Sequence, residues 1–314
     1  MSINNTFPAI SRSKRNVVSI VKSSYSTVYE DLPRAIELAG GIELSGQDKI
    51  VIKVNLCDAR TPDTGAITHP VFLDALLKYL RGRFEKIDIF VVESDGRVVI
   101  ADLFVKWFGL LPVIEKWGAK WRNLSKDECE TKDIPEFTCN KLSVSKIFEN
   151  SYFITLPKLK TNILTTMTCC LKNQFGCNPS LDKQKLHPYI DDAIVANNLA
   201  VGVPDFCIVD GIVGVGGIWG PSFGPPIHSQ LIVAGKDVVA VDCVCAKIMG
   251  FNPKRIGHIK LAIRKGLGSS SFEVVGEKIE DVKQDFQWSG FQAMLFRLAL
   301  WFQAREFKRN RHEA

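Results

Sequence analysis

The chain has 314 residues, of which 46% are hydrophobic and 24% are charged. These proportions exclude an intrinsically disordered chain and are typical of a globular protein with a sizeable core. The formal net charge of +6 is small for this length. The sequence also lacks a nucleic-acid-binding motif and aromatic residues interleaved with a basic strip, so no nucleic-acid partner is expected.

Nine cysteines are scattered along the chain without a C-x-x-C pair. An odd number without regular spacing is more typical of a reducing compartment than of a disulfide framework. Residues 1–16 lack the apolar core of a signal peptide, and no stretch reaches the ~18 uninterrupted apolar residues of a membrane span. We therefore expect a cytoplasmic protein.

Short β-branched segments alternate with segments of helical periodicity along most of the chain. Strands are predicted at 16–20, 49–56, 87–92, 152–156, 205–209 and 230–234. Helices are predicted at 28–38, 70–80, 238–249 and 256–265, the third capped by Asp237 and ended by Gly250. This alternation predicts an α/β fold with a mostly parallel sheet and helices on both faces.

Three segments are predicted along the chain. Residues 1–14 read as a polar tail, residues 15–287 as a single α/β domain, and residues 288–314 as a basic amphipathic helix. The polar stretch 122–140 is weakly patterned and is a second place where a boundary could fall. The evidence in the sequence for two independent domains is weak.

Polar residues follow the buried strands, and ligands of parallel sheets bind at the carboxyl ends of strands. Asn55 ends the second strand, and Thr68 and His69 precede a proline that opens a helix. Thr68 as the helix cap would leave N–H groups for an anion, with His69 as an acid or base. The alternative is that both residues only satisfy hydrogen bonds of the fold.

The next strand ends at Glu93 and Ser94. Glu93 is a candidate general base or metal ligand, and Ser94 a candidate substrate contact. An ordinary surface carboxylate is the alternative interpretation.

The segment ITLPKLKTN gives the most informative pattern. Lys158 and Lys160 are two residues apart, so both point to one side of an extended chain, and Thr161 follows them. Lys172 and Asn173 come shortly afterwards. Crowded lysines repel one another unless an anion or carboxylates lie between them, and burial would lower a lysine pKa toward values that suit proton transfer or attack on a carbonyl. Three solvated surface lysines are the alternative.

The strand at 205–209 is followed by Asp210 and then by a segment rich in glycine, proline and aromatic residues. This segment does not match a dinucleotide fingerprint, and the chain contains no P-loop motif. Gly216 and Gly217 are candidate ligand contacts in a flap that closes over a substrate. A structural loop without a function is an equally good interpretation.

The cysteines suggest two sets of metal ligands. Cys169 and Cys170 with Cys177, or Cys243 with Cys245, could be joined by His69 or His187; their spacing matches neither structural zinc nor standard iron–sulfur patterns. Buried thiols that act as small hydrophobic groups are the favoured interpretation. The sequence names no cofactor and no metal.

The segment Trp288–Arg311 differs from the rest of the chain. Phe291, Leu295, Leu298 and Phe302 share a helical face, and between Arg297 and Arg311 five basic residues are opposed only by Glu306. Such a helix suits an anionic membrane surface. Packing against a dimer partner or against the protein's own core is the alternative.

Taken together, the segments between residues 49 and 268 resemble the family called domain of unknown function 362. The resemblance rests on IKVNL, ITHP, VVESDG, LPKLKT, LKNQFG, His187, IVDGIVGVGGIWGPSFG and AGKDVVAVDCVCAKIMG, in this order. Some members of that family are fused to ferredoxin-like modules, which implies redox chemistry for them, but this chain has no such module. Asn162 stands where the family's lysine motif is usually followed by histidine. The layout also resembles, more faintly, nickel-dependent lactate racemases.

The function that these patterns favour is an enzyme that acts on a small anionic substrate bearing a carboxylate or a phosphate. The candidate catalytic residues are Lys158, Lys160, Lys172, His69, His187 and Glu93. The candidate substrate contacts are Asn55, Thr68, Ser94, Thr161, Asn173, Asp210, Gly216 and Gly217. Two other functions stay open: a ligand-binding or membrane-associated accessory protein without catalysis, and a redox protein that borrows an iron–sulfur cluster.

Overall fold

A computed structural model describes residues 16–286 except 97, 98, 218, 219 and 222, together with residue 298. The predicted polar tail and nearly all of the predicted C-terminal helix lie outside the described residues. No helix among the described residues is long and apolar enough to cross a membrane.

The strands and helices alternate as the sequence pattern indicates. The strands are β1 (Val17–Lys22), β2 (Lys49–Lys53), β3 (Asp88–Glu93), β4 (Lys120–Asn123), β5 (Cys129–Asp133), β6 (Lys141–Ser145), β7 (Ser151–Thr155), β8 (Lys158–Asn162), β9 (Thr166–Thr168), β10 (Phe206–Val215), β11 (Pro226–Ile227), β12 (Leu231–Gly235) and β13 (Glu273–Gly276). The helices are α1 (Val28–Leu38), α2 (Pro70–Arg83), α3 (Ala101–Trp107), α4 (Leu110–Lys116), α5 (Cys170–Asn173), α6 (Ile190–Val201), α7 (Val238–Ile248), α8 (Gly257–Arg264) and α9 (Ile279–Val282).

The large sheet has eleven strands among the described residues, eight of them in the order β13-β1-β12-β10-β7-β2-β3-β4. β8 and β11 also pair with β10, and β9 pairs with β8. Strands β10, β7, β2, β3 and β4 are mutually parallel, whereas β12 runs antiparallel to both β1 and β10. The predicted mostly parallel sheet is therefore confirmed. The polar stretch 122–140 contains β5, which pairs with β6 in a separate two-stranded sheet.

Alternate residues of the central strands enter two apolar cores. Ile208 and Ile232 face a core that includes α1, α2 and α4, while Val209 and Val233 face a core that includes α6, α7 and α8. This alternation follows from the two-residue period of a strand. The predicted helices on both faces of the sheet are confirmed.

Two local predictions are wrong. The strand that begins at Phe206 does not end before Asp210 but continues to Val215, because Asp210 is paired with a buried lysine of β8 and so can lie inside the sheet. Thr68 does not cap α2: His69 does, through Nδ1, which accepts the N–H of Val71 at 3.2 Å.

The predicted cap of α7 is present, and its strength can be tested. Asp237 Oδ1 accepts the N–H groups of Val239 and Ala240, both at 2.9 Å, and Oδ2 accepts the N–H of Ser269. Asp237→Ala should therefore lower the free energy of unfolding by about 1–2 kcal/mol, measured by urea denaturation. Asp281→Ala, which removes an acidic residue from the first turn of the short α9, serves as a control; an equal effect of both substitutions would contradict the capping role.

Candidate functional site

Three neighbouring parallel strands place polar residues at one edge of the sheet. In register, Lys53 at the end of β2 lies beside Thr155 at the end of β7 and beside Val92, the residue before Glu93 on β3. The carboxyl ends of these strands form the edge where α/β sheets bind ligands. Several of the side chains singled out from the sequence lie here, among them Asn55, Glu93 and Lys160.

The deepest polar contact is an ion pair that sequence reasoning missed. Lys53 Nζ lies 2.7 Å from Glu93 Oε2, and the two side chains are 1% and 6% exposed. The Glu93 oxygens also accept the N–H of Leu56 at 3.1 Å and of Ser94 at 2.9 Å. A Cβ at Gly176 would lie only 2.7 Å from both charged groups, so glycine lets the chain pass over the pair. Glu93 is thus fully engaged and is poorly placed to act as a base.

A second buried pair joins β8 to β10. Lys158 Nζ lies 2.8 Å from Asp210 Oδ2, and both side chains are fully buried. The same ammonium donates to the Tyr25 hydroxyl at 3.2 Å. The Tyr25 ring stacks on His69 at 3.7 Å between centroids. Tyr25, which the sequence gave no reason to select, therefore links Lys158 to His69.

Burial dominates the protonation of this group. Desolvation lowers the pKa of Lys158 although Asp210 opposes it, and desolvation raises the pKa of Tyr25 with the help of the Asp210 charge. Desolvation also lowers the pKa of His69. Because Nδ1 of His69 accepts a backbone N–H, the neutral ring carries its proton on Nε2, 3.3 Å from the exposed carboxylate of Asp63.

Lys160 points to the same edge but has different partners. Its ammonium donates to Asn55 Oδ1 and to the Ala66 carbonyl, both at 2.7 Å, and contacts Cys57 Sγ at 3.2 Å. An ammonium has three donors, and all three are used. Lys160 is fully buried and makes no ion pair with a described carboxylate. Lys160 would therefore attract a ligand through its positive charge rather than through a direct hydrogen bond.

Predicted substrate contacts Asn55, Thr68 and Asn173 form a buried hydrogen-bond network. Asn55 Nδ2 donates to Asn173 Oδ1 at 3.1 Å, and Asn173 Nδ2 donates to Thr155 Oγ1 at 3.0 Å. The Thr68 hydroxyl accepts the N–H of Asn55 at 2.8 Å. These residues join the ends of β2 and β7 to α5, so their first role is to hold these elements in place around the site.

Lys172 stands apart from the other lysines. It extends from α5, is partly buried, and has no hydrogen-bond acceptor or carboxylate partner among the described residues. Its Nζ lies 5.9 Å from the centroid of the Phe175 ring. Burial lowers the pKa of Lys172 to about 8. Cys57 opposes this shift, and the Lys160 charge adds to it. The pKa of His187 is lowered by burial of its ring and then by the Lys172 charge, although the residue is exposed as a whole.

Lys183 is a further lysine that sequence reasoning did not select. Its ammonium donates to the Ser94 hydroxyl and to the Asn178 carbonyl. The Ser94 hydroxyl in turn donates to the Gly176 carbonyl at 2.6 Å. Burial lowers the pKa of Lys183 to about 8, with Glu93 opposing. Ser94 is therefore held beside a second weakly compensated lysine.

The glycine-rich segment after β10 is attached to the site's surroundings in its described parts. The N–H groups of Gly216 and Gly217 donate to the carbonyls of Pro225 and Phe286, and Thr161 Oγ1 donates to the Gly217 carbonyl at 2.6 Å. Arg60, on the loop after β2, donates to two further carbonyls of the segment. These contacts favour the structural loop over the flap.

The predicted histidine-containing metal sets do not form among the described residues. Cys177 lies in a separate apolar cluster with Val51 and Phe90, away from Cys169 and Cys170. Asn162, at the position where histidine is usual in the family, accepts the N–H groups of Leu164 and Thr165 and so fixes the turn between β8 and β9.

The Lys53–Glu93 pair gives a stability prediction. Glu93→Gln leaves a buried ammonium without its carboxylate and should lower the free energy of unfolding by about 3–5 kcal/mol in urea denaturation. Asp88→Asn, at the opposite end of β3, breaks an exposed pair with Lys120 and should cost at most about 1 kcal/mol. Equal, small effects of the two substitutions would contradict the role assigned to the buried pair.

Two known proteins are similar to this chain. A thylakoid-associated protein from Synechocystis sp. is 27% identical over 280 residues, covering 82% of this chain and 82% of that protein. The lactate racemase apoprotein from Thermoanaerobacterium thermosaccharolyticum is 14% identical with a TM-score of 0.42, over 74% of this chain and 58% of the racemase chain. This chain therefore spans less than two thirds of the racemase, and the likeness says nothing about its reaction.

The motifs between β2 and α7 also match a family model. The family is described as domain of unknown function (DUF362), and its model matches residues 50–247, which is more than half of the chain. The residues at the carboxyl edge of β2, β3 and β8, including Lys53, Glu93 and Lys160, fall inside this match. The resemblance recognised in the sequence is thereby confirmed, and the chain belongs to the DUF362 family.

Proposed function

We propose that the protein is an enzyme that binds a small carboxylate- or phosphate-bearing molecule at the carboxyl edge of the sheet and moves a proton with Lys172. The observation that carries the proposal is that the Lys172 ammonium has no carboxylate partner among the described residues, while burial and then the charge of Lys160 disfavour its charged form. An anion at this place would supply the missing partner.

The charges at this edge support an anionic ligand. Lys53 and Lys158 are matched by Glu93 and Asp210. Three more lysines, namely Lys160, Lys172 and Lys183, make no ion pair with a described carboxylate. Removing an ammonium from water without an opposite charge is costly, so a site with this excess favours an anion.

The protonation of Lys172 supports acid–base chemistry. With a pKa of about 8, the side chain is divided between ammonium and amine near neutral pH, as efficient proton transfer requires. The amine would take a proton from the substrate and become an ammonium beside the developing negative charge, then return the proton to substrate or water. His187, whose pKa is lowered by burial and then by the Lys172 charge, would act as a second proton acceptor. Glu93 and Asp210 would neutralise Lys53 and Lys158.

Anion binding can be followed through an exposed thiol. Cys57 is exposed and lies 3.2 Å from Lys160 Nζ. Oxalate or inorganic phosphate should slow its alkylation by iodoacetamide, measured by peptide mass spectrometry, with Cys129 and Cys139 as internal references. Protection should weaken as pH rises through about 8, because Lys172 then loses the charge that binds the anion.

Lys172→Gln should weaken this protection about 10- to 150-fold in apparent Kd and remove its pH dependence near 8, since a charged hydrogen bond contributes about 1.5–3 kcal/mol. The same substitution should leave thermal stability at pH 7 unchanged or higher, because a lysine with a lowered pKa destabilises the fold while it is charged. Lys185→Gln, an exposed lysine paired with Asp182, is the matched control. Failure of both anions to protect Cys57, or unchanged protection in Lys172→Gln, would contradict the proposal.

We also propose that residues 288–314 attach the protein to a membrane surface. The apolar face and the basic residues of this segment suit an anionic lipid interface. The relative from Synechocystis is named for its association with thylakoids, which supports the same kind of placement for this chain.

Deletion of residues 288–314 tests this attachment. The full chain should co-sediment with phosphatidylglycerol vesicles and less with phosphatidylcholine vesicles, and the deleted form with neither. A control that keeps the apolar face and changes only the basic residues to glutamine, at Arg305, Lys308, Arg309 and Arg311, should lose about 1 kcal/mol of binding per charge. Vesicle binding that survives the deletion would assign the attachment to another part of the molecule.

A further inference from the structure

A cluster of thiols lies beneath α5, on the side of the sheet opposite to α1 and α2. Cys169 and Cys170 stand at the start of α5, and Cys245 belongs to α7. Asp242, also on α7, faces them. All four residues are fully buried, and the cluster is separate from the lysine site above it.

Asp242 is the unexplained member of this cluster. Its two carboxylate oxygens accept the N–H groups of Cys170 and Leu171, at 2.8 Å and 3.2 Å. No lysine, arginine or histidine among the described residues forms an ion pair with it. A buried carboxyl group without a cation partner either keeps its proton or coordinates a metal. Besides the two backbone N–H groups, the thiols of Cys169 and Cys170 lie next to Asp242.

The spacing of the sulfur atoms fits a metal ion. The Sγ atoms of Cys169 and Cys170 are 3.8 Å apart. Two ligands of a tetrahedral zinc ion with Zn–S bonds of about 2.3 Å lie about 3.8 Å apart. The two sulfurs and a carboxylate oxygen of Asp242 all lie within 4.8 Å of one another. The Cys245 thiol lies near enough to Cys169 for each to shift the pKa of the other.

We propose that Cys169, Cys170 and Asp242 bind a zinc-type divalent cation, with Cys245 as the fourth ligand. Each thiol that becomes a ligand releases its proton to solvent, so uptake of the ion is accompanied by proton release. The bound ion would join the start of α5 to α7 and thereby fix the helix that carries Lys172. The assignment is independent of the reaction at the lysine site.

Cobalt provides a direct test. The full chain is freed of metal with a chelator under anaerobic, reducing conditions and titrated with Co²⁺. We expect one equivalent to bind with an intense thiolate-to-cobalt charge-transfer band in the near ultraviolet, to be displaced by Zn²⁺, and to raise the melting temperature. A folded wild-type chain, as judged by circular dichroism, that shows no such band would overturn the assignment.

Substitutions locate the ligands. Cys169→Ser and Asp242→Asn should each weaken Co²⁺ binding by more than about 100-fold, because loss of a group that only hydrogen-bonds to a ligand already costs about 10- to 100-fold. Cys243→Ser is the matched control, since Cys243 lies on α7 between two proposed ligands and is buried, yet is outside the set. If one variant does not fold, the other and the wild-type titration still decide. An unchanged band in a folded ligand variant, or its loss in Cys243→Ser alone, would refute the site.

Discussion

The arrangement of the carboxyl edge depends on how buried ammonium groups are compensated. Lys53 and Lys158 each meet a carboxylate inside the protein, at 2.7 Å and 2.8 Å. These pairs hold β2 to β3 and β8 to β10, and both are shielded so thoroughly that breaking one would leave an uncompensated charge. Lys160 is compensated only by neutral groups, and Lys172 by none among the described residues. Pairing with a carboxylate therefore stabilises Lys53 and Lys158, whereas Lys160 and Lys172 lack such a partner among the described residues and favour the binding of an anion.

The path of the backbone explains why two lysines of one short strand have different surroundings. β7 pairs with β10 up to Thr155, Pro157 interrupts the strand, and β8 resumes the pairing with β10 at Lys158. The pairing then shifts in register before Lys160, which lies opposite Val215. Lys158 is directed to Asp210 within the sheet, whereas Lys160 reaches the loop after β2, where it contacts Asn55 and Ala66.

Local patterns predicted much of the fold, because caps and apolar periodicity are encoded within a few residues. The limits of α1 and the Asp237 cap of α7 agree with the sequence. The features that could not be predicted depend on partners distant in the chain. Asp210 stays inside β10 because Lys158 neutralises it. Glu93 is not available as a base because it is paired with Lys53, which lies 40 residues earlier in the chain. Tyr25 and Lys183 carry no local motif at all. The lysine motif nonetheless indicated the right edge of the sheet, because closely spaced lysines can be recognised in the sequence even when the groups that neutralise them cannot.

Helix α5 separates two groups with opposite electrostatic needs. Above it, Lys172 and Lys160 present positive charge without a carboxylate; below it, Asp242 presents a carboxylate without a cation among the described residues. The two do not form an ion pair, because Asp242 is turned toward the N–H groups of Cys170 and Leu171 at the start of the helix. A single short helix thus fixes both positions through its backbone and its side chains. The anion proposed for one side of α5 and the cation proposed for the other would each be bound by a separate set of residues.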